Sequence, residues 1–411
     1  MDPRCQRKKK HDHAEILTYV VIGYMVGRLS MRRCLAWCNW HLDWLRNYMM
    51  LKNGIASVAT ISRLLNSIDE EMFCLAFIEW MTEMLDTKGI HIAIDGKALR
   101  GGTEKIKDGK TPYILNAIDV ITGLVIGQIP IPEKTNEMTA IPKLLELLNI
   151  RESTITIDAI GTTRQIIGAI EENGGHYLLT VKKSNPLTYE ELQSIFSILE
   201  DESSKKEQKP SYTSGYEEYL ETYDKYERNE KNRERMEYRR MTVCQNNHTI
   251  SMAEEIPGIK TIGWLRQVRI AIEKDAVGNN ITPCVQTFLE KGTVRNPKIS
   301  VGDALTDEVH QIGIISDIKI AAEEALAIKR AHWKIENNLH HVLDDVFRED
   351  RSSAKGSKNN LALIRKFAYN ILKIACIQGD TGNGVQASSD MFADNKDLIA
   401  KYVFSGIQKI R

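Results

Sequence analysis

The spacing of hydrophobic and polar positions changes near residue 90. Upstream, apolar residues recur at helical intervals over residues 14–40 and 72–85, which predicts a helical region through residue 88. Ser57, Thr60 and Ser62 lie between these stretches, placed to cap the short segment that follows. Downstream, His91-Ile-Ala-Ile-Asp95 is a short apolar run closed by a carboxylate and then Gly96. It predicts a buried strand with Asp95 at its C-terminal end. Residues 113–120 and 124–131 predict two more strands, joined by the turn Ile121-Thr-Gly123. Thr135 or Asn136 is placed to cap a helix running to about Leu148. Thr154-Ile-Thr-Ile-Asp158 then repeats the first theme, an apolar strand ending in Asp and followed by a turn. A helix over residues 163–173 and a strand over 176–181 complete the order.

The second half is less regular. Residues 201–240 hold ten Lys/Arg and eleven Asp/Glu, a density that predicts solvated helix or linker. Tyr212, Tyr216, Tyr219, Tyr223 and Tyr226 recur there at helical spacing, as a stripe that packs on the protein body or stacks on unpaired bases. Strand patterns return over 238–244, 261–273 and 281–289, so a β-rich stretch is expected up to about residue 316. Residues 317–347 lack Pro and Gly and predict one long helix, and a second helix spans 359–377. The last thirty or so residues are weakly patterned, with mobility expected there.

Composition narrows the class. The chain has 411 residues, enough for two to three domains or one with a large insertion. At 42% hydrophobic and 27% charged it is neither disordered throughout, collagen-like nor a membrane bundle. Lys plus Arg and Asp plus Glu both total 55, which excludes a uniformly basic coat and leaves room for a locally basic groove. Residues 1–60 supply such a bias, ten Lys/Arg against four Asp/Glu, read equally as a DNA-contacting face or a solvated one. Seven scattered cysteines without a CxxC pair fit a reducing cytosol. Arg7 to Lys10 precede an apolar run over 16–27, as in a signal peptide, but the run is too short to span a bilayer. Arg28, Arg32 and Arg33 follow it where a cleavage site would stand, so a buried helix is expected. Cys34, Cys38 and His41, with His11 and His13, lack the tighter pair that zinc prefers. The two cysteines read more simply as neighbours on one helix face.

The candidate chemistry lies in three carboxylates. Glu336, His340 and Asp344 are four apart and share a helix face. Ile328, Ile335, Leu339, Val342 and Val346 form an apolar stripe beside them, which puts Glu336 at the rim of a core. Together with Asp95 and Asp158 this is a donor set for Mg²⁺, which prefers oxygen ligands and keeps several waters. Two such ions about 3.5–4 Å apart can activate a water or a 3′-hydroxyl and stabilise the departing oxygen of a phosphodiester. In that reading Asp95 bridges both ions, and Asp158 and Glu336 each hold one.

The residues also match a family. The motifs are His91-Ile-Ala-Ile-Asp-Gly-Lys-Ala-Leu-Arg-Gly-Gly102, Glu133-Lys-Thr-Asn-Glu137 with Ala140-Ile-Pro-Lys-Leu-Leu145, and Thr156-Ile-Asp-Ala159. His332-Trp-Lys-Ile-Glu-Asn-Asn-Leu-His340 with Phe347-Arg-Glu-Asp-Arg351 completes them. In this order, over nearly the whole chain, they resemble the ISAs-type, H-repeat-associated DDE transposases of bacterial insertion sequences. Asp2-Pro-Arg4 and Gly54-Ile-Ala-Ser-Val-Ala-Thr-Ile-Ser-Arg63 resemble that family's N-terminal helical region. The chain departs from the pattern at Gly161-Thr-Thr163, His176-Tyr177, Lys182-Lys-Ser-Asn-Pro186, Arg233-Glu234, His332 and Leu343, and none of these removes a carboxylate.

The resemblance implies an α/β, RNase H-like catalytic core, a mixed sheet with flanking helices. A β-rich insertion interrupts it and a helical N-terminal domain precedes it. The expected division is 1–88 for DNA binding and assembly, 89–200 for the first part of the core, and 201–316 for the charged segment and insertion. Residues 317–380 form the second part of the core, with the last catalytic Glu, and 381–411 the tail. The implied catalytic and metal-binding set is Asp95, Asp158 and Glu336 with two Mg²⁺ (or Mn²⁺) ions. DNA contacts are expected at Lys97 and Arg100 on a Gly-flanked loop, at Lys134, Asn136 and Lys182, at Asn337 and His340 beside Glu336, and at Arg348 and Arg351. The implied activity is cleavage at the element's ends and strand transfer into target DNA, by a bacterial cytoplasmic protein that is nucleoid-associated when bound and works as a homodimer on DNA, with no membrane role. A metal-dependent nuclease that cuts without joining, and a catalytically silent DNA-binding protein derived from a transposase, are the alternatives; a zinc hydrolase is more distant.

Overall fold

A computed structural model describes residues 9–99, 112–131, 137–204, 217–232, 235–245, 258–271, 273–274, 280–281, 310–352 and 357–410. The chain divides into two compact units, Met1–Ser153 with His332–Arg411, and Thr154–Ala331.

The first unit opens with helices whose starts are written in the sequence. Asp12, Ser30, Ser57 and Asp69 each accept a backbone N–H at the head of a helix: α1 (His13–Met25), α2 (Met31–Trp40), α4 (Val58–Ser67) and α5 (Glu70–Met84). A single turn, α3 (Leu42–Leu45), follows α2. The apolar run that imitates a signal peptide is α1, with Ile16, Val20 and Ile22 buried. Cys34 and Cys38 are buried in α2, each with its thiol against the Tyr19 carbonyl of α1. Among the described residues no helix is long and apolar enough to cross a membrane.

Three strands follow as an antiparallel meander: β1 (His91–Ala98), β2 (Tyr113–Asp119) and β3 (Val125–Ile131). The turn between β2 and β3 is held by buried Asp119, whose carboxylate accepts from the Ile121 and Thr122 amides and the Thr122 hydroxyl. Gly123 closes it at φ +74°, where only glycine is free of strain. β1 runs three residues past Asp95, so Lys97 lies in the strand, not on the loop the sequence predicts. Helix α6 (Glu137–Leu147) follows, and the two residues expected to cap it, Thr135 and Asn136, lie outside the described residues.

The second unit begins with β4 (Thr154–Ile157), a 3₁₀ turn at Ala159–Gly161, α7 (Arg164–Glu172) and β5 (His176–Val181), close to the predicted bounds. Helix α8 (Pro186–Ser204) comes next and is absent from the sequence reading. Among its described residues the charged segment ends α8, forms the short helix α9 (Glu217–Glu221) and then the hairpin β6 (Asp224–Asn232) and β7 (Arg235–Gln245). That corrects the expectation of solvated helix or linker. Its charges are spent on ion pairs: Arg239 with Glu230 and Glu237, Arg240 with Glu227, and Arg330 with Glu230. The tyrosine stripe dissolves accordingly. Tyr219 is buried in α9, Tyr226 lies on a strand, and Tyr212 and Tyr216 fall outside the described residues.

β8 (Thr261–Ala271), the short pair β9 (Glu273–Lys274) and β10 (Asn280–Ile281), and β11 (His310–Ser316) follow. The expected strand over 281–289 lies almost wholly outside the described residues. Within this unit the strands are ordered β4-β5-β11-β8-β7-β6, with β4 and β5 parallel and the other neighbours antiparallel. Leu178, Met241, Val243, Leu265 and Ile314 pack on Ala322, Ala325 and Leu326 of α10 (Ala322–His332). α10 begins five residues later than predicted, because Asp317 instead accepts the Tyr177 amide at 2.7 Å and pairs with His176 at 2.7 Å.

Back in the first unit, the chain adopts a π-helix over Ile335–His340, then α11 (His341–Asp345). The single predicted helix is therefore interrupted where its candidate residues lie. α12 (Lys358–Ile377) is the central helix of this unit, buried along most of its length. Asn370 on α12 caps the edge of β3, bonding the Val125 amide at 3.0 Å and its carbonyl at 2.8 Å. The weakly patterned C-terminus is ordered as α13 (Val385–Asp394), α14 (Lys396–Ile399) and a π-turn at Ala400–Phe404, with Phe392, Ile399 and Tyr402 buried. Its anchors are isolated rather than periodic, which is why the pattern misses them.

Candidate active site

β1 and the π-helix meet through matched side-chain periods. In a strand, residues two apart share a face, so Asp95 and Lys97 point the same way. Along the helix Glu336, His340 and Asp344 form one row. The two rows pair in register: His340 Nδ1 lies 3.7 Å from Asp95 Oδ2, and Lys97 Nζ lies 2.5 Å from Asp344 Oδ2. Lys97 is 7% exposed, so Asp344 supplies the counter-charge that a buried ammonium requires.

His340 is buried at the centre of this group and binds Glu336 Oε2 at 2.9 Å. On its other side Nε2 faces the amide nitrogen of fully buried Asn116 at 3.4 Å. The ring thus bridges Glu336 on one side and Asn116 on the other. The hydrogen bond from His340 is the largest influence on Glu336 and holds its carboxyl below the usual range. The π-helix is itself tied down, for Tyr369 of α12 donates to the Gly123 and Asn338 carbonyls at 2.8 and 3.0 Å.

Gly96, next to Asp95, has no room for a side chain. A Cβ there would lie 2.4 Å from both Glu137 Oε1 and Tyr113 Cε1. Glu137 is 4% exposed and opens α6. The glycine after the first Asp therefore has a steric reason.

The ligand atoms of Asp95, Glu336 and His340 lie within 4.8 Å of one another, close enough to share one ion. Two of the three are carboxylates, one from the strand and one from the helix. An oxygen donor set with open positions fits Mg²⁺ or Mn²⁺, which keep water and take substrate phosphate as further ligands.

Asp158 stands at the end of β4 in the second unit. Lys182 donates to both its oxygens, at 2.6 and 2.9 Å. Burial alone would raise the Asp158 carboxyl, but the Lys182 ammonium, helped by Lys329, outweighs it and the net displacement is downward. Lys329 is 6% exposed, and burial lowers it to about 8. Gly161 is as crowded as Gly96, since a Cβ would lie 2.5 Å from Ile157 Cγ2.

The other predicted DNA contacts divide into three groups. Lys97 and Lys182 are ion-paired within the protein. Asn337, Arg348 and Arg351 are exposed, and Arg348 is left-handed at φ 49°. Arg100, Lys134 and Asn136 lie outside the described residues. Sequence reasoning missed the roles of Asn116, Asp344 as the partner of Lys97, and Lys329. Asn116 carries one usable signal, a polar residue in the middle of an otherwise apolar strand.

The Transposase DDE domain family matches residues 86–371, and the DDE_Tnp_1-associated family matches residues 1–81. The chain is 30% identical over 385 residues to "Putative transposase YncI" of Escherichia coli O157:H7, covering 90% of this chain and 85% of that one. It is 29% identical over 378 residues to "H repeat-associated putative transposase YhhI" of Escherichia coli K12, covering 90% and 87%. A solved piggyBac transposase synaptic complex with hairpin DNA aligns with 97% of this chain and 75% of its own, at 10% identity and a TM-score of 0.42.

Proposed function

The chain belongs to the Transposase DDE domain family, among the H repeat-associated transposases, and from that premise we propose that it cleaves DNA at the ends of its own element and joins the freed 3′-hydroxyls to target DNA. The observation that carries this reading is the convergence of Asp95 and Glu336 around His340. Asp95, Asp158 and Glu336 are the proposed catalytic and metal-holding set, on a core of RNase H-like type interrupted by the β-rich segment that precedes Glu336. Two divalent ions bound there would supply a stronger nucleophile from water or a 3′-hydroxyl and charge relief for the departing oxygen.

The chain's own residues do the positioning. His340 hydrogen-bonds Glu336 and fixes its carboxylate. Asn116 backs the imidazole from its other side. Lys182 neutralises Asp158 and keeps it ionised at neutral pH. Asn337, Arg348 and Arg351, all exposed, are available to phosphates, and Arg100, Lys134 and Asn136 are proposed contacts on motif grounds. Holding two DNA ends at once calls for a homodimer on DNA.

The test is a cleavage and joining assay with labelled DNA carrying the element's ends, in Mg²⁺ or in EDTA, comparing wild type with Asp95→Ala. Metal-dependent 3′ cleavage and joining, lost in the variant, is the expected result. Glu336→Gln should abolish cutting and leave DNA binding intact. Cleavage without joining would make the protein a nuclease. Binding without cutting in any metal would make it a silent DNA-binding protein.

A further inference from the structure

The exposed face of α2 combines groups that the carboxylate chemistry does not use. Cys34, Leu35 and Cys38 turn inward and are buried. Arg33, Ala36, Trp37 and Trp40 fall at i, i+3, i+4 and i+7, one side of the helix. With Arg28 from the preceding turn they line a surface concavity of about 380 Å³. Trp40 is 85% exposed, the most exposed large hydrophobic side chain among the described residues. Its indole therefore offers a free aromatic face beside the two arginines of the concavity. Trp37 forms the floor, 8% exposed and with its ring 4.4 Å from that of His41.

The electrostatics point the same way. Arg28 and Arg33 are exposed, and among the described residues neither has a carboxylate partner. After burial, Lys396 and Arg28 are what lower His41, so a third cation bears on this face. The segment as a whole carries ten Lys/Arg to four Asp/Glu over residues 1–60.

We infer that this face is a binding site for a DNA strand, in which Arg28 and Arg33 hold successive phosphates and Trp40 stacks on an unpaired base. Uncommitted guanidiniums beside a free aromatic plane are the two ingredients of single-strand recognition. The site rests on the transposase reading for the identity of its ligand and needs none of the three carboxylates. It assigns the unpaired stretch at a cut or frayed DNA end to the N-terminal helices.

The test uses the full chain in EDTA, with fluorescence anisotropy of a labelled duplex bearing a single-stranded thymidine tail and of the same duplex blunt. Wild type should prefer the tailed DNA. Trp40→Ala should lose about tenfold in affinity for the tail and little for the blunt duplex, and Trp40→Phe should keep most of the preference. Arg28→Ala with Arg33→Ala should weaken both and reduce the slope of log affinity against log salt by about two. Equal affinities of all variants for both DNAs would overturn the proposal. So would a change of sedimentation state in Trp40→Ala, which would make the face a contact between copies of the chain. Because no metal is present, failure of the cleavage assay leaves this readout standing, and loss of the tail preference leaves the cleavage assay standing.

Discussion

Asp95 and Asp158 each follow an apolar run of the same design, Asp95 within its strand and Asp158 just past the end of its own, yet their carboxylates meet different chemistry. Asp95 shares an imidazole with Glu336, and that imidazole is buried and backed by Asn116. Asp158 is gripped on both oxygens by an ammonium, with a second buried lysine nearby. The first arrangement orients carboxylates by hydrogen bonding to a buried ring. The second cancels charge. A strand ending in Asp therefore specifies where a carboxylate stands and says nothing about how its charge is balanced.

The sharpest way to break this comparison is to remove each carboxylate. Asp95→Asn, Glu336→Gln and Asp158→Asn should each reduce cleavage about a thousandfold or more, measured in single-turnover assays. Unimpaired cutting by Asp158→Asn alone would make the Asp158–Lys182 pair structural and leave the chemistry to the first site. His340→Ala comes next. It should slow cleavage about 10–100-fold, as loss of a group that orients a metal-holding carboxylate does, and raise the Glu336 carboxyl in a ¹³C NMR titration.

Gly96→Ala and Gly161→Ala test the packing beneath the two acids. Each places a Cβ within 2.5 Å of a neighbour, so each should destabilise by about 1–3 kcal/mol in denaturant melts. Gly96→Ala should also lower activity by displacing Glu137 and Tyr113 beside Asp95. Lys182→Met gives the smallest effect on the fold, and its signature is electrostatic. Burial then acts on Asp158 with less opposition, so its carboxyl should titrate higher than in the wild type by the same NMR measurement.

Acid stability joins both sites. Glu336 and Asp158 titrate below their ordinary values of 4.5 and 3.8. As acid is added the unfolded chain takes up these protons first. The stabilisation they carry is complete at neutral pH and is lost as pH falls through the folded-state values. His340→Ala and Lys182→Met should each flatten that part of the stability-versus-pH curve. Unchanged curves in both variants would show that neither partner holds its acid down.

Much of the architecture is legible because it rests on local patterns. Ser57 and Asp69 cap helices through bonds to residues three along. The apolar runs before Asp95 and Asp158 become strands at nearly the expected positions. The charged run at 224–245 misleads because cross-strand pairs such as Arg240–Glu227 satisfy charges that look solvated in one dimension. α8 and the C-terminal helices escape because their burial depends on a few side chains meeting distant partners, as Tyr189 does with Trp264 and Ser389 with the Met25 carbonyl.

The sequence by itself determined the family and the mixed α/β class, and it singled out three acidic positions for testing, since all of these reside in short motifs in order along the chain. Only the tertiary structure decided the company the acids keep. Lys97 and Asp344 are 247 positions apart, and Asn116 and His340 are 224 apart. No local pattern encodes such pairings. They follow from packing two elements whose side-chain periods, two for a strand and about four for a helix row, bring matched charges face to face.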